Sequence, residues 1–221
     1  MPVALVTGGS RGIGAAVVAR LRADGWEVLA PTHAELDLAD DASMDAFLAK
    51  LGSMKLSALV NDAGINPVAP FANVAVDEWR RVQQVNVTAP FRLMQHVAPR
   101  MAAQEGGRIV NISSIYSFLG RAGRASYGAS KGALNQLTRM AAVEFGPGNV
   151  LVNAVAPGFV MTDLTRANNA PETLERVRLE VPMRRFAEPD EIADVICYLA
   201  SPRNRYITGQ VIVVDGGLSL V

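Results

Sequence analysis

The sequence predicts an α/β fold in which helices cover both faces of a doubly wound parallel sheet. Short runs rich in β-branched residues alternate along the chain with longer segments of helical period. Several of these runs are apolar almost throughout, as expected of strands that are buried on both faces. The chain has 221 residues, half of them hydrophobic and 19% charged, which fits a single domain with one core, residues 1–221.

Each predicted element is bounded by turn residues. The strands are apolar runs that cover residues 3–7, 27–30, 56–61, 108–113, 150–155 and 210–214. The helices are amphipathic segments closed by Gly, Pro or polar residues, and they cover residues 13–23, 42–51, 77–101, 126–145 and 190–200.

One connection is too short for a complete doubly wound sheet. Only about five residues separate the second strand, which ends near Ala30, from the Leu36-Asp37-Leu38 run, whereas a parallel crossover needs about a dozen or more. We therefore expect that one edge unit is missing or vestigial and that the sheet has about six parallel strands, seven at most.

Charge and composition exclude several classes of function. The 21 Lys and Arg residues balance 21 Asp and Glu residues, so we expect neither a nucleic acid nor an anionic membrane as partner. A single cysteine, Cys197, and two histidines leave no disulfide framework or zinc cluster, and no metal site is expected. The first residues lack the basic and long apolar regions of a signal peptide, and no run approaches the ~18 apolar residues of a membrane span, so we expect neither a targeting segment nor a membrane span. We expect a cytoplasmic protein.

A glycine-rich loop directly follows the first predicted strand. Residues 7–14 read Thr-Gly-Gly-Ser-Arg-Gly-Ile-Gly and open a helix. In this context glycines let the backbone approach a pyrophosphate, and the free N–H groups of the helix start attract the anion. The alternative is a tight strand-to-helix turn without a ligand. The predicted cofactor contacts in this loop are Gly8, Ser10, Arg11, Gly12, Ile13 and Gly14.

Tyr127 and Lys131 lie four residues apart, on one face of a predicted helix. A nearby ammonium favours the phenolate and would lower the tyrosine pKa from about 10 toward neutrality. Such a tyrosine can exchange a proton with a carbonyl oxygen or an alcohol. Taken alone, the pair is also a common feature of a solvated helix face.

With these residues the chain resembles the short-chain dehydrogenase/reductase family from residue 3 to residue 217. The resemblance implies a Rossmann-type sheet and hydride transfer between a nicotinamide cofactor and a carbonyl or secondary alcohol. The motifs occur in the family's order and spacing, and they are residues 7–14, Asn-Asp-Ala-Gly at 61–64, Asn86, Ser113-Ser114, Tyr127 with Lys131, Pro157-Gly158 and residues 208–217.

The resemblance also implies a role for each catalytic position. Tyr127 would be the general acid/base, and Lys131 would lower its pKa and hold the nicotinamide ribose. Ser114 would hydrogen-bond the substrate oxygen, although it could instead cap the end of a strand. Asn86 would bind a water that links Lys131 to solvent, although its amide could equally stabilise a kink in the helix.

Further cofactor contacts are implied at the carboxyl edge of the sheet. Asp62 stands where the family commonly has Asn or Ala, a change that we expect to be tolerated. Val160 would offer its backbone and Thr162 its hydroxyl to the carboxamide. The implied contacts are Asp37 and Leu38 beside the adenine, Asn61, Ala63 and Gly64 at its ribose, and Pro157, Gly158, Val160 and Thr162 around the nicotinamide.

The choice between NADP(H) and NAD(H) depends on the end of the second strand. NAD specificity usually comes from an acidic side chain there, and this position falls near Thr32, which carries no charge. Arg11 matches the basic residue of NADP-preferring relatives, so NADP(H) is favoured over NAD(H). The usual arginine after the strand is absent, and His33 near its place is read as a solvated turn residue.

Within the family the chain looks most like 3-oxoacyl-(acyl-carrier-protein) reductases, mainly through residues 182–189. We expect a small carbonyl or alcohol substrate, free or linked to a carrier protein, beneath a lid formed by residues 159–185. An acidic carrier or anionic substrate would suit a set of arginines that are as readily ordinary solvated residues, namely Arg121, Arg124, Arg166, Arg176 and Arg178.

Two other functions compete with a carbonyl reductase. One is an NAD-dependent alcohol or polyol dehydrogenase. The other is a non-catalytic dinucleotide-binding regulatory protein, which would keep the glycine loop and lose the acid/base residues that this chain has. By analogy with relatives that associate through their long helices, we expect a homotetramer or homodimer.

Overall fold

Six parallel strands form one sheet in the computed structural model, which describes residues 1–104 and 106–221. The strand order is β2-β1-β3-β4-β5-β6. Every predicted strand is present with ends shifted by at most two residues, so the predicted architecture is confirmed. The strands are β1 (Val3–Thr7), β2 (Glu27–Leu29), β3 (Ala58–Asn61), β4 (Gly107–Ile112), β5 (Val150–Pro157) and β6 (Val211–Val214).

The missing edge unit is also confirmed. The full doubly wound order is 3-2-1-4-5-6, and here β2 takes the edge because no described strand pairs with its outer side. Turns replace the third strand and its crossover: the amides of Glu35 and Leu36 both donate to the Thr32 carbonyl at 3.0 Å. The strand order reverses between β1 and β3, which are direct neighbours.

Helices flank the sheet on both sides. Among the described helices, none is long and apolar enough to span a bilayer. The helices are α1 (Gly12–Ala23), α2 (Asp41–Leu51), α3 (Val76–Gln83), α4 (Ala89–Ala102), α5 (Ala125–Phe145), α6 (Asp163–Ala167), α7 (Pro171–Glu180) and α8 (Pro189–Ala200), with a π-helical segment at Gln84–Thr88 and 3₁₀ turns at Phe71–Asn73, Ile115–Ser117, Gly146–Gly148 and Leu218–Leu220.

Alternate strand residues point to opposite faces, and each face has its own core. On one side Val6 and its neighbours in the sheet pack against α1 and α8, with Ile192 and Ile196 fully buried. On the other side Leu5 and its neighbours pack against α2, α4 and α5. Cys197 belongs to the first of these cores, as its place on an apolar helix face predicts.

The sequence prediction of the helices is incomplete in two places. The helix predicted over 77–101 is present from Val76 to Ala102, but it includes a π-helical segment between α3 and α4 that was not predicted. The region 159–185, expected as a lid, contains two helices that were not predicted, α6 and α7. Its local start signals were overlooked: the Thr162 hydroxyl accepts from the Thr165 amide, and Pro171 occupies the first turn of α7, where an N–H is not needed.

Candidate active site

A pocket of about 420 Å³ opens along the carboxyl edge of β1, β3, β4 and β5. It lies where the strand order reverses, which is where ligands bind in doubly wound sheets. Its volume is in the range of small-molecule sites. The pocket is therefore the place in which to test the predicted residues.

Most predicted site residues meet in this pocket. Gly14, Thr32, Asn61 and Asn86 do not line it. Those that do are Gly8, Ser10, Arg11, Gly12, Ile13, Asp37, Leu38, Ala63, Gly64, Ser114, Tyr127, Lys131, Pro157, Gly158, Val160 and Thr162.

The glycine loop is built for close backbone approach. Gly8 has φ +72° and Gly12 has φ +55°, a left-handed conformation that glycine adopts without strain. A Cβ on Gly14 would lie 2.4 Å from the Gly8 carbonyl oxygen, so the third glycine allows the helix to pack on the loop. Arg11 precedes α1 without a side-chain cap, which leaves the first N–H groups of the helix open to an anion.

Asn61 lies inside the sheet and does not reach the pocket. Its Nδ2 donates to Asn111 Oδ1 at 2.8 Å, and Asn111 Nδ2 donates to Thr138 Oγ1 at 2.9 Å. This buried chain of amides and a hydroxyl joins β3, β4 and α5. The contacts of Asn61 in this structure are therefore structural.

Asn86 sits in the π-helical segment and is fully buried. Its Oδ1 accepts from the Ile65 amide at 2.9 Å, and its Nδ2 donates to the Ile65 carbonyl at 2.9 Å and to Ser130 Oγ at 3.0 Å. These hydrogen bonds agree with the second role considered for Asn86, in which its amide stabilises an irregular turn of the helix. They also tie the loop after β3 to the helix that carries Lys131.

Thr32 faces a carboxylate that the sequence interpretation overlooked. Its N–H and its hydroxyl donate to Glu35 Oε2 at 2.8 and 2.9 Å, and these bonds lower the pKa of Glu35. Pro31 and His33 line the pocket on either side of Thr32. An acidic group thus lies close to the position that governs the choice of cofactor.

The acid/base residues come together as the family motif implies. Tyr127 and Lys131 lie in the first turns of α5, and Lys131 Nζ is 5.6 Å from the centroid of the tyrosine ring. Ser114 lies two residues after the end of β4 and is buried, with its Oγ accepting from the Tyr116 amide at 3.2 Å. The three side chains form one wall of the pocket.

The predicted effect of Lys131 on the tyrosine is wrong for this structure. Burial raises the pKa of Tyr127 to about 12, while a hydrogen bond with Ser114 and the charge of Arg124 act in the opposite direction. Lys131 is not among the groups that lower the tyrosine pKa, and its ammonium donates to the Ile112 carbonyl at 2.6 Å. Burial lowers the pKa of Lys131 itself to about 8.

Asp62 is a site residue whose importance the sequence interpretation underestimated. Its Oδ2 lies only 2.6 Å from where a Cβ on Gly14 would be and 3.1 Å from where one on Gly8 would be. The carboxyl group therefore packs directly against Gly8 and Gly14 of the glycine loop. Burial raises the pKa of Asp62 to about 7, against the opposing effects of the Lys131 charge and the Gly14 N–H. A titratable group thus lies beside the anion site.

Comparisons with known proteins agree along the whole chain. A family model described as enoyl-(acyl carrier protein) reductase matches residues 28–219. The 3-oxoacyl-(acyl-carrier-protein) reductase FabG of Aquifex aeolicus is 35% identical, over 98% of this chain and 96% of the relative.

Two solved structures extend this similarity to three dimensions. A 4-hydroxyisoleucine dehydrogenase mutant complexed with NADH and succinate has a TM-score of 0.93 at 29% identity, over 99% of both chains. Gluconate 5-dehydrogenase from Burkholderia cenocepacia, in complex with NADP and tartrate, has a TM-score of 0.88 at 28% identity, over 100% of this chain and 96% of the other. The chain spans nearly the full length of each of these proteins.

Proposed function

Because this chain belongs to the short-chain dehydrogenase/reductase family, we propose that Ser114, Tyr127 and Lys131 carry out the NAD(P)-dependent reduction of a ketone or 3-oxoacyl group. The observation that carries the proposal is the convergence of these side chains with the glycine loop in one pocket at the reversal of strand order. The protein is an oxidoreductase, and we propose which residue carries out each step of its reaction.

The residues fit a dinucleotide cofactor. The left-handed glycines and the uncapped start of α1 would hold the pyrophosphate, with Ala63, Gly64, Asp37 and Leu38 toward the adenine half. Pro157, Gly158, Val160 and Thr162 would enclose the nicotinamide. When bound, the reduced nicotinamide supplies the hydride.

The side chains of the pocket supply the proton that the substrate oxygen needs. With a pKa of about 12, the Tyr127 phenol is protonated at neutral pH, and its Oη donates the proton to the carbonyl oxygen as the alcohol forms. The Ser114 hydroxyl donates a hydrogen bond to the same oxygen. Lys131, with a pKa of about 8, then returns a proton to the resulting phenolate. Asn86 positions this wall through its bonds to Ile65 and Ser130.

NADPH is the preferred cofactor in this proposal. Arg11 is exposed in the glycine loop and lines the pocket, so its charge can meet a 2′-phosphate. Glu35 opposes this preference, but its carboxylate is engaged by Thr32. The two structural neighbours hold NADH and NADP respectively, so their shared fold is compatible with either.

The substrate half of the pocket is bordered by α6, which contributes Asp163, Leu164 and Thr165 to its lining and forms part of the proposed lid, residues 159–185. Asn168 at the end of α6 donates to the Asn66 carbonyl at 3.0 Å and ties this segment to the loop after β3. The relative from Aquifex aeolicus is named for a carrier-linked 3-oxoacyl substrate, while both structural neighbours contain a small dicarboxylic acid.

Assembly into a homotetramer or homodimer is part of the same proposal. Apolar side chains on α4 and α5 face outward in the single chain, with Phe91, Met140 and Val143 all exposed. Covering such side chains is a common function of a subunit interface.

The experiment combines cofactor binding with one substitution. Purified protein is titrated with NADPH and NADH by nucleotide emission and the fluorescence of Trp26 and Trp79, and reduction of a ketone series is then measured. Tyr127→Phe is expected to lower turnover by a factor of about 10²–10⁴ and to leave nucleotide binding unchanged, because only the proton donor is lost. Tyr116→Phe is the matched control, since it removes a neighbouring phenol of the same pocket.

Each outcome of this experiment has a defined meaning. Binding of neither nucleotide would refute the proposal and favour a protein without this chemistry. Tighter binding of NADH together with oxidation of alcohols or polyols would favour the NAD-dependent dehydrogenase, for which the neighbour with NADH is the supporting observation. Full activity in Tyr127→Phe would refute the assigned mechanism.

A further inference from the structure

We propose that Arg124 binds a carboxylate of the substrate and so directs the enzyme to oxo acids and the corresponding hydroxy acids. The inference rests on the proposed function and narrows its substrate class. Among the arginines near the site, Arg124 would be the one that recognises the substrate carboxylate. Arg121, three residues earlier in the same loop, is exposed.

Arg124 is buried in the pocket wall, and the residues that the structure describes offer it no counter-charge. It is only 7% exposed, lines the pocket, and directly precedes α5. Its Nη1 donates to Asn66 Oδ1 at 2.8 Å. In the described part of the chain no carboxylate forms an ion pair with it, and the groups that influence its charge are Tyr116, Tyr127 and Arg121.

A buried guanidinium without a counter-charge is costly, and its chemistry defines which ligand would neutralise it. Arginine has five N–H donors in a planar fork, and the neutral amide of Asn66 occupies one side. The remaining donors match the two oxygens of a carboxylate. A thioester or a plain ketone would place only neutral groups beside this charge and leave it unpaired.

Hydrogen bonds fix both the backbone of Arg124 and the residue that its guanidinium contacts. The Arg124 carbonyl accepts from the Gly128 amide at 2.7 Å, and its N–H donates to the Arg121 carbonyl at 3.2 Å. Asn66 is itself held by Asn168 through its carbonyl. The partner of Arg124 is therefore also the contact point of the proposed lid, so the carboxylate site and the lid share one residue.

Arg124 lies beside the proposed acid/base residues. Arg124 directly precedes α5, Tyr127 lies in the first turn of that helix, and both line the same pocket. A carboxylate bound by Arg124 can therefore belong to the same substrate molecule whose carbonyl group meets Tyr127.

The test compares an acid with its neutral ester in matched variants. For 3-oxobutanoate and methyl 3-oxobutanoate, kcat/KM is measured in the unmodified protein, in Arg124→Gln and in Arg121→Gln. The unmodified protein is expected to favour the acid by at least about 100-fold, and Arg124→Gln to lose this preference mainly through a higher KM. Arg121→Gln removes an exposed arginine and is expected to change neither value.

Further readouts separate substrate binding from an effect on Tyr127 or on folding. NADPH affinity, measured by nucleotide fluorescence, should be unchanged in Arg124→Gln. Arg124→Lys should recover part of the preference for the acid, because it restores the charge without the planar fork. In the unmodified protein, butanoate should inhibit ester reduction competitively and butanamide should not, a result that requires no variant to fold.

Two results would overturn the inference. One is an equal loss of activity toward acid and ester in Arg124→Gln, which would assign the arginine to the support of Tyr127. The other is efficient ester reduction by the unmodified protein with no preference for the acid. If the unmodified protein binds NADPH but reduces neither compound nor any other ketone, the proposed function itself fails.

Discussion

Replacing Asp62 by asparagine is expected to change how the free energy of unfolding depends on pH. Burial raises the pKa of this carboxyl from 3.8 to about 7 in the folded protein. The unfolded chain therefore loses the proton near pH 4, whereas the folded chain keeps it up to about pH 7. The stability that this proton confers is fully present at low pH and is lost as the pH rises through 7.

The size of the effect follows from the shift. Each pH unit between the two pKa values changes the free energy of unfolding by about 1.36 kcal/mol, so about 3 kcal/mol is lost between pH 5 and pH 7. Asp62 is half-buried, and contact with water in the pocket reduces this to about 2 kcal/mol. Asparagine keeps the shape and an oxygen acceptor for the Gly14 N–H but does not titrate.

Lys131 changes the result in the same direction. Asp62 raises the pKa of this buried ammonium, so the variant has a Lys131 that loses its proton at lower pH. The folded variant is then relieved of a buried charge as the pH rises. The stability of Asp62→Asn relative to the unmodified protein should therefore increase by about 2 kcal/mol or more from pH 5 to pH 8.

Urea unfolding at pH 5, 6, 7 and 8, followed by the fluorescence of buried Trp26, measures this difference. Asp24→Asn is the control, because it removes an exposed aspartate from the same domain. Parallel stability curves for Asp62→Asn and the unmodified protein would refute the reasoning, since they would mean that Asp62 titrates alike in the folded and unfolded chains.

Three further substitutions test the cofactor site and its supports. Arg11→Ala should weaken NADPH binding by about tenfold, or 1.4 kcal/mol, and NADH binding much less, and equal losses in a fluorescence titration would remove the role of its charge. Gly14→Ala places a Cβ 2.4 Å from the Gly8 carbonyl oxygen, so both Tm and the affinity for either nucleotide should fall, while Gly146→Ala, which has open space, should leave both unchanged. Asn86→Ala removes the hydrogen-bond partner of the partly buried Ile65 amide and carbonyl, and urea unfolding should show a loss of about 2 kcal/mol; a loss below about 1 kcal/mol would mean that water replaces the side-chain amide.

The sequence predicted the sheet because its signals are local and repetitive. The apolar runs locate the strands, and the short link after Ala30 predicts the absent edge unit by chain length alone. The π-helical segment could not be predicted in this way. It depends on Asn86 turning inward to reach the backbone of Ile65, a contact between residues that only the fold brings together.

The candidate site was predictable in its motif positions and not in its electrostatics. Glycine spacing and the Tyr127-Lys131 pair follow from residue types, and these residues do line one pocket. The raised pKa of Tyr127 and the buried charge of Arg124 depend on how much water each side chain loses, which spacing does not encode. Asp62 had a readable signal, a carboxyl directly after a buried strand at the edge where ligands bind.

The truncated sheet also bears on how the protein avoids self-association through its strands. A strand at an edge presents unpaired N–H and C=O groups that can template pairing with another chain. Removal of the third unit places β2 in that position, but β2 has only three residues, begins with an exposed glutamate and is soon followed by Pro31, which has no N–H to donate. An incoming strand would find only a short ladder interrupted by charge and proline. The shortening thus leaves an edge that is poorly suited to amyloid-like stacking.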